Sequence, residues 1–162
     1  MNLEYKLDEK GRFLVDLKAR RELGIKKHQW MQVNLKNNRN NNEVVHDIGK
    51  LNSNGMFSLT KNVRDYLSLE NTGELEIKPY DGSSIDLLFK IGDEKSRFPV
   101  PQKYREYHSI APGKLIRVVY EQQLYSITRI DRRNRLLVPP HIMNELQLKK
   151  DDYFFATIKR II

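Results

Sequence analysis

Four segments of the chain, beginning at Asp8, Asn52, Asp93 and Asp131, align with one another without gaps. They read DEKGRFLVDLKARRELGI, NSNGMFSLTKNVRDYLSL, DEKSRFPVPQKYREYHSI and DRRNRLLVPPHIMNELQL. The first position is Asp or Asn in every copy, and the fourth is Gly11, Gly55, Ser96 or Asn134. Arg12, Met56, Arg97 and Arg135 come next, followed by Phe13, Phe57, Phe98 and Leu136. Aliphatic residues recur two places later (Val15, Leu59, Val100, Val138) and again at Ile25, Leu69, Ile110 and Leu148. The copies stand 44, 41 and 38 residues apart. A repeat of this size implies one supersecondary unit per copy, with copies packing together to close a core.

The physics is the same in each copy. Asp-x-x-Gly or Asp-x-x-Asn between apolar runs is turn chemistry: the acid caps the turn, and Gly or Asn accepts a positive φ, which Ser96 does less readily. A short strand follows. Pro101 and Pro139 then stand where a helix would begin, a place that tolerates proline. Alternating apolar residues in WMQVNL, LEIKPY, IRVVYE and FFATIK predict a strand with one buried face. Each copy is therefore expected to run strand, tight turn, strand, short helix, strand. Helices of about two turns are not stable alone, and a unit of about 40 residues does not easily enclose its own core. Copies should pair, one with two and three with four, or one with four and two with three. The polar stretch Asn37–Asn42 reads as a hairpin loop, and Asp81-Gly82-Ser83-Ser84 as the boundary between a domain of residues 1–82 and a second of residues 83–162.

These residues resemble the AbrB/MazE/MraZ group of swapped-hairpin β-barrel proteins. The shared pattern is the Asp-x-x-Gly-Arg turn, an aliphatic strand often ending in proline, a helix carrying Arg-x-x-Leu, and Gly-Ile-x-x-Gly-Asp before the next strand, of which the first copy lacks the final Gly-Asp. The first copy, DEKGRFLVDLKARRELGIKKHQW, holds nearly all of it, with Asp16 where the proline would be. The second copy departs most. The resemblance extends from about Glu4 to Lys159 and implies a mainly β fold with short helices: two swapped-hairpin AbrB-like barrels, each an intrachain pseudo-dimer of two ββαβ-type repeats. It also implies contact with double-stranded DNA through arginines at the turn and on the helix. By position these are Arg12, Arg97 and Arg135 at the turns and Arg20, Arg21, Arg64 and Arg105 on the helices. The fourth copy has Met143 and Asn144 at the helix positions and offers Arg129, Arg132 and Arg133 around its turn.

Charge supports the same partner. The chain has 29 Lys and Arg against 21 Asp and Glu, a net charge of +8, and excess positive charge favours a polyanion through counterion release. The excess is uneven: the first copy carries 10 basic and 5 acidic residues, the second 4 and 7, the third 7 and 5, the fourth 8 and 4. Copies one and four are thus the expected DNA readers and copy two a structural partner. Trp30, Tyr104 and Tyr107 are expected to pack rather than stack on bases. No cysteine is present, and His28, His46, His108 and His141 lack metal-ligand spacing or a nucleophile motif. The expectation is a non-enzymatic, cytoplasmic, nucleoid-associated regulator of transcription without cofactor, membrane segment or small-molecule substrate, able to form a homo-oligomer. The alternative is a protein-interaction module of antitoxin or scaffold type.

Overall fold

The computed structural model describes residues 1–39 and 43–161; Asn40, Asn41 and Asn42 of the expected hairpin loop, and Ile162, lie outside the described residues. The chain is mainly β. The first repeat forms β1 (Asn2–Lys6), β2 (Arg12–Leu14), α1 (Leu17–Leu23) and β3 (Trp30–Lys36). The second forms β4 (Val44–Lys50), β5 (Met56–Ser58), α2 (Lys61–Leu67) and β6 (Thr72–Pro79). The third forms β7 (Leu87–Lys90), β8 (Arg97–Pro99), α3 (Gln102–His108) and β9 (Leu115–Tyr120), and the fourth β10 (Leu124–Arg129), β11 (Arg135–Leu137), α4 (Pro140–Glu145) and β12 (Tyr153–Arg160). Two compact units result, Met1–Ser84 and Ile85–Ile162.

The first unit joins repeats one and two by exchange of strands. β1 pairs along its length with β6 of the other repeat, from Asn2↔Glu76 to Lys6↔Thr72. β3 pairs with β4 on one side and β6 on the other. The short strands β2 and β5 form their own ladder, centred on Phe13↔Phe57. An approximate twofold therefore exchanges β1 with β4, β2 with β5 and β3 with β6. The second unit repeats the scheme: β12 lies between β7 and β9, β9 also pairs with β10, and β8 pairs with β11 about Phe98↔Leu136. Copy one thus pairs with two, and three with four. The ladders in each unit, one of four strands and one of two, do not join into the closed barrel that was expected.

Each core sits between the long and the short ladder. Phe13 and Phe57 meet with ring centroids 5.4 Å apart, and Phe98 touches Phe89 and Phe154 at 5.0 Å each. All five rings are essentially inaccessible to solvent. Burial of this kind stabilises at roughly 25 cal/mol per Å² of apolar surface. It holds helices that their own length does not.

The helix starts are solved in three ways. Asp16 caps α1 with its side chain, accepting from Ala19 N at 2.8 Å. Pro101 and Pro139 precede α3 and α4, as expected. At α2 the fully buried Asp47 of β4 accepts from Thr60 N and Thr60 Oγ1, both at 2.8 Å, so a carboxylate from a neighbouring strand holds the N-cap residue in place. Helices α1, α2 and α3 end at a left-handed residue, Gly24, Ser68 or Ser109, whereas α4 ends at the right-handed Leu146 with the left-handed Gln147 after it. The next backbone N–H, that of Ile25, Leu69, Ile110 or Leu148, returns to a helix carbonyl. Among the described residues no helix is long and apolar enough to cross a membrane.

Candidate nucleic-acid interface

The turn before each short strand is built identically in all four repeats. The carboxylate or amide Oδ1 of Asp8, Asn52, Asp93 and Asp131 accepts from the backbone N–H groups two and four residues on, at 2.9–3.1 Å. The fourth residue takes a positive φ in every copy: 74° at Gly11, 78° at Gly55, 64° at Ser96 and 61° at Asn134. Ser96 thus adopts the conformation despite its side chain. The reason lies across the twofold: the carbonyl of each such residue accepts from the partner repeat. Val15 N donates to Gly55 O, Leu59 N to Gly11 O, Val100 N to Asn134 O and Val138 N to Ser96 O, at 2.9–3.0 Å.

This turn fixes the arginine that follows it. Arg12 Nε donates to Asp8 Oδ2 at 2.8 Å, Arg97 Nε to Asp93 Oδ2 at 2.7 Å and Arg135 Nε to Asp131 Oδ2 at 2.9 Å. Hydrogen bonds from backbone and guanidinium hold these carboxyls below the usual carboxylate range. The backbone N–H of Arg12 contributes most at Asp8 and the Arg97 side chain at Asp93. At Asp131 desolvation acts in the opposite direction, and the hydrogen bonds from Arg135 and Arg133 outweigh it. The arginines are therefore presented in set rotamers, each with donors still available beyond its aspartate.

On the β8–β11 ladder Phe98 and Leu136 point inward, so Arg97, Pro99, Arg135 and Leu137 share the outer face. Arg135 faces Pro99 and Arg97 faces Leu137, which places the two arginines on a diagonal about the twofold. Asp93 joins them, with Arg97 Nη2 at 2.7 Å and Arg135 Nη1 at 3.7 Å. The exposed turn residues Arg132, Arg133 and Lys95 stand at the rim of this face. The equivalent face of β2–β5 has Arg12 and the exposed Leu14 opposite Ser58 and Met56. Copy four is thus joined by copy three in one double-arginine surface, while copy one presents its turn arginine without a counterpart.

The helix arginines are placed differently. A Cβ added to Gly55 would lie 3.2 Å from Arg20 Cζ, and one added to Gly11 would lie 2.7 Å from Arg64 Cδ, with Arg64 Nε and Cζ nearer still. Arg20 and Arg64 thus each pack across the turn glycine of the other repeat. The Nε atoms of Arg20 and Arg64 are buried without a hydrogen-bond partner. In the second unit Arg105 Nε donates to Val100 O at 3.0 Å. Arg20 and Arg64 thus lie over a turn of the partner repeat, whereas Arg105 bonds the chain of its own repeat just after β8. Arg21 is exposed on the outer side of α1, and the exposed Arg129 donates to Gly113 O at 2.6 Å.

Tyr104 is fully buried, and Trp30 and Tyr107 are half-buried, which agrees with packing roles. His108 lies at the end of α3 against Tyr107, and burial pushes its pKa down to about 4. No group of three or more His, Cys, Asp or Glu side chains among the described residues is arranged to hold a metal ion. No protein-family model, curated protein or solved structure matches the chain.

Proposed function

We propose that this protein binds duplex DNA and regulates transcription, with the Arg97–Arg135 face of the second unit as its principal contact and Arg12 of the first unit as a secondary one. The observation that carries this reading is the diagonal pair of arginines on one solvent-facing strand ladder, each oriented by its turn aspartate. A guanidinium fork grips phosphate oxygens or the O6/N7 edge of guanine. Fixing its rotamer in advance lowers the entropy lost on binding. Arg132, Arg133 and Lys95 at the rim supply further charge for the phosphate backbone. The exposed Pro99 and Leu137 between the arginines suit contact with sugars or a thymine methyl group.

The exchange of strands between repeats supports membership of the swapped-hairpin, AbrB-like group, with two intrachain pseudo-dimers where such proteins use two chains. The protein has the character of a non-enzymatic regulator acting in the cytoplasm. The test is duplex binding by fluorescence anisotropy over a salt series, on wild type and on an Arg97→Ala, Arg135→Ala double variant. Neutralising phosphates gives a log–log salt slope of about −0.9 per contact, so the double variant should lose up to about two units of slope with a large drop in affinity. Unchanged affinity and slope in a folded double variant would falsify the reading.

A further inference from the structure

We propose that copies of this protein associate through two chemically opposite sheet edges, with β10 of one copy adding beside β1 of the next. Among the described residues β1 has a strand neighbour on one side only, β6, and β10 likewise only β9. Each therefore presents a row of unused backbone N–H and C=O groups, a template for another strand. The lengths suit one another, at 5 residues for β1 and 6 for β10.

Protein edges are usually blunted by lysine, proline or a covering segment. β10 shows the reverse. Its outward side chains Tyr125 and Ile127 are 60% and 57% exposed, more than any other large hydrophobic residue described. Leu115 on β9, facing Arg129, extends this apolar strip.

Charge identifies the occupant as a second copy. β9, β10 and β12 contain no acidic residue at all. Arg117 faces Ile127 on one side and Lys159 on the other, and its guanidinium lies 5.2 Å from the Tyr125 ring. At the β1 edge Glu4 faces Glu74 and Glu76 stands opposite Asn2, while Lys6 at the end of the strand faces the uncharged Thr72. Each unit therefore holds a like-charge cross-strand pair beside its open edge, Glu4–Glu74 in one and Arg117–Lys159 in the other. Such pairs are destabilising until opposite charge is brought to them. Within the described residues no ion pair forms at any of the four. Joining β10 to β10 would bring together two edges that hold cations and no acid, and joining β1 to β1 two edges in which glutamates outnumber lysines. The mixed pairing sets the edge of net positive charge beside the edge of net negative charge. A contact between unlike surfaces adds copies head to tail.

The experiment is sedimentation velocity of the full chain across a dilution series. The weight-average mass should rise above the 19.2 kDa of one chain with concentration, and fall back when salt is raised. Ile127→Glu blocks one edge; Glu4→Lys with Glu74→Lys blocks the other. All these sites are at the surface or beside it, and circular dichroism with a thermal scan checks that each variant is folded. Either variant alone should remain a single chain. Mixed one to one, they should form a two-chain species and nothing larger, because one intact edge of each kind remains. A wild type that stays at one-chain mass throughout overturns the proposal, as does an oligomer that survives both sets of substitutions or a mixture that fails to pair. Loss of duplex binding in Ile127→Glu, with wild type monomeric, would assign this edge to DNA and overturn the proposal equally.

Discussion

Arg64, on the helix of the second repeat, lies across the backbone of Gly11, in the turn of the first, so closely that a Cβ on Gly11 would stand 2.7 Å from Arg64 Cδ. Arg20 and Gly55 repeat the relationship in the opposite direction, with the corresponding distance 3.2 Å to Arg20 Cζ. Glycine is required here twice over, by a φ of 74° and by the side chain above it.

Gly11→Ala should therefore destabilise the first unit by about 2 kcal/mol or more, as the backbone penalty of a left-handed alanine adds to displacement of Arg64. In an Arg64→Ala background the same change should cost only about 1 kcal/mol, the backbone part. Urea unfolding of the four proteins in this cycle measures both. Equal costs in the two backgrounds would show that Arg64 and Gly11 are not coupled.

The two short ladders should contribute unequally to duplex binding. Losing both Arg97 and Arg135 should weaken affinity by well over tenfold, since each well-formed guanidinium contact is worth roughly 1–3 kcal/mol. Arg12→Ala should cost less. Anisotropy titrations at fixed salt compare them, and a larger loss from Arg12→Ala would move the principal contact to the first unit.

Asp8, Asp93 and Asp131 should stay ionised below the ordinary carboxyl value of 3.8. A depressed carboxyl contributes stability in full above its unfolded value and loses it as pH falls through its lower folded value. The turns should therefore survive mild acid and release their arginines only below that range. Carboxyl-carbon NMR across an acid titration reads this directly. Titration of all three at or above 3.8 would mean that the Asp–Arg hydrogen bonds do not form in solution.

His108 should respond to acid at a higher pH than these carboxyls. A histidine at a helix C-terminus gains from being charged, yet burial lowers the His108 value from 6.5 to about 4. Between those values the unfolded chain binds the extra proton, so stability contributed by the neutral ring falls as pH drops from 6.5 toward 4. With the partial exposure of the ring allowed for, the loss at pH 5 should be on the order of 1 kcal/mol. His108→Gln should flatten this part of the stability–pH curve. A variant with the wild-type slope between pH 7 and 5 would remove His108 as its source.

Local chemistry made the turns readable from sequence. Asp-x-x-Gly-Arg brings its own hydrogen-bond acceptors and its own positive-φ residue, so nothing distant is needed to form it. The helix starts at Pro101 and Pro139 are equally local. Ser96 was a poor match by propensity, and the bond from Val138 N to its carbonyl holds it in place. Pairing order was not readable, because the choice between Phe57 and another copy as partner for Phe13 is a tertiary matter. For the same reason the packing of Arg20 and Arg64 was not readable: it is created by a turn more than 30 residues away in sequence. Asp47 gave no local sign that it would hold Thr60, the residue at the start of a helix 13 residues later. A usable sign did exist for Arg135. Its copy aligns with Arg97, and an antiparallel pairing of aligned strands sets aligned residues on one diagonal.

Met56 has a consequence for how a duplex would be met. Two arginines related by a twofold, as on the second unit, present the same chemistry whichever way a double helix runs beneath them. The first unit has Arg12 at one twofold position and a thioether at the other, so reversing the duplex exchanges a cation for an uncharged group. A DNA site engaging that face would have a left and a right, and the protein would sit on it in a preferred orientation without any partner to tell it which way to point.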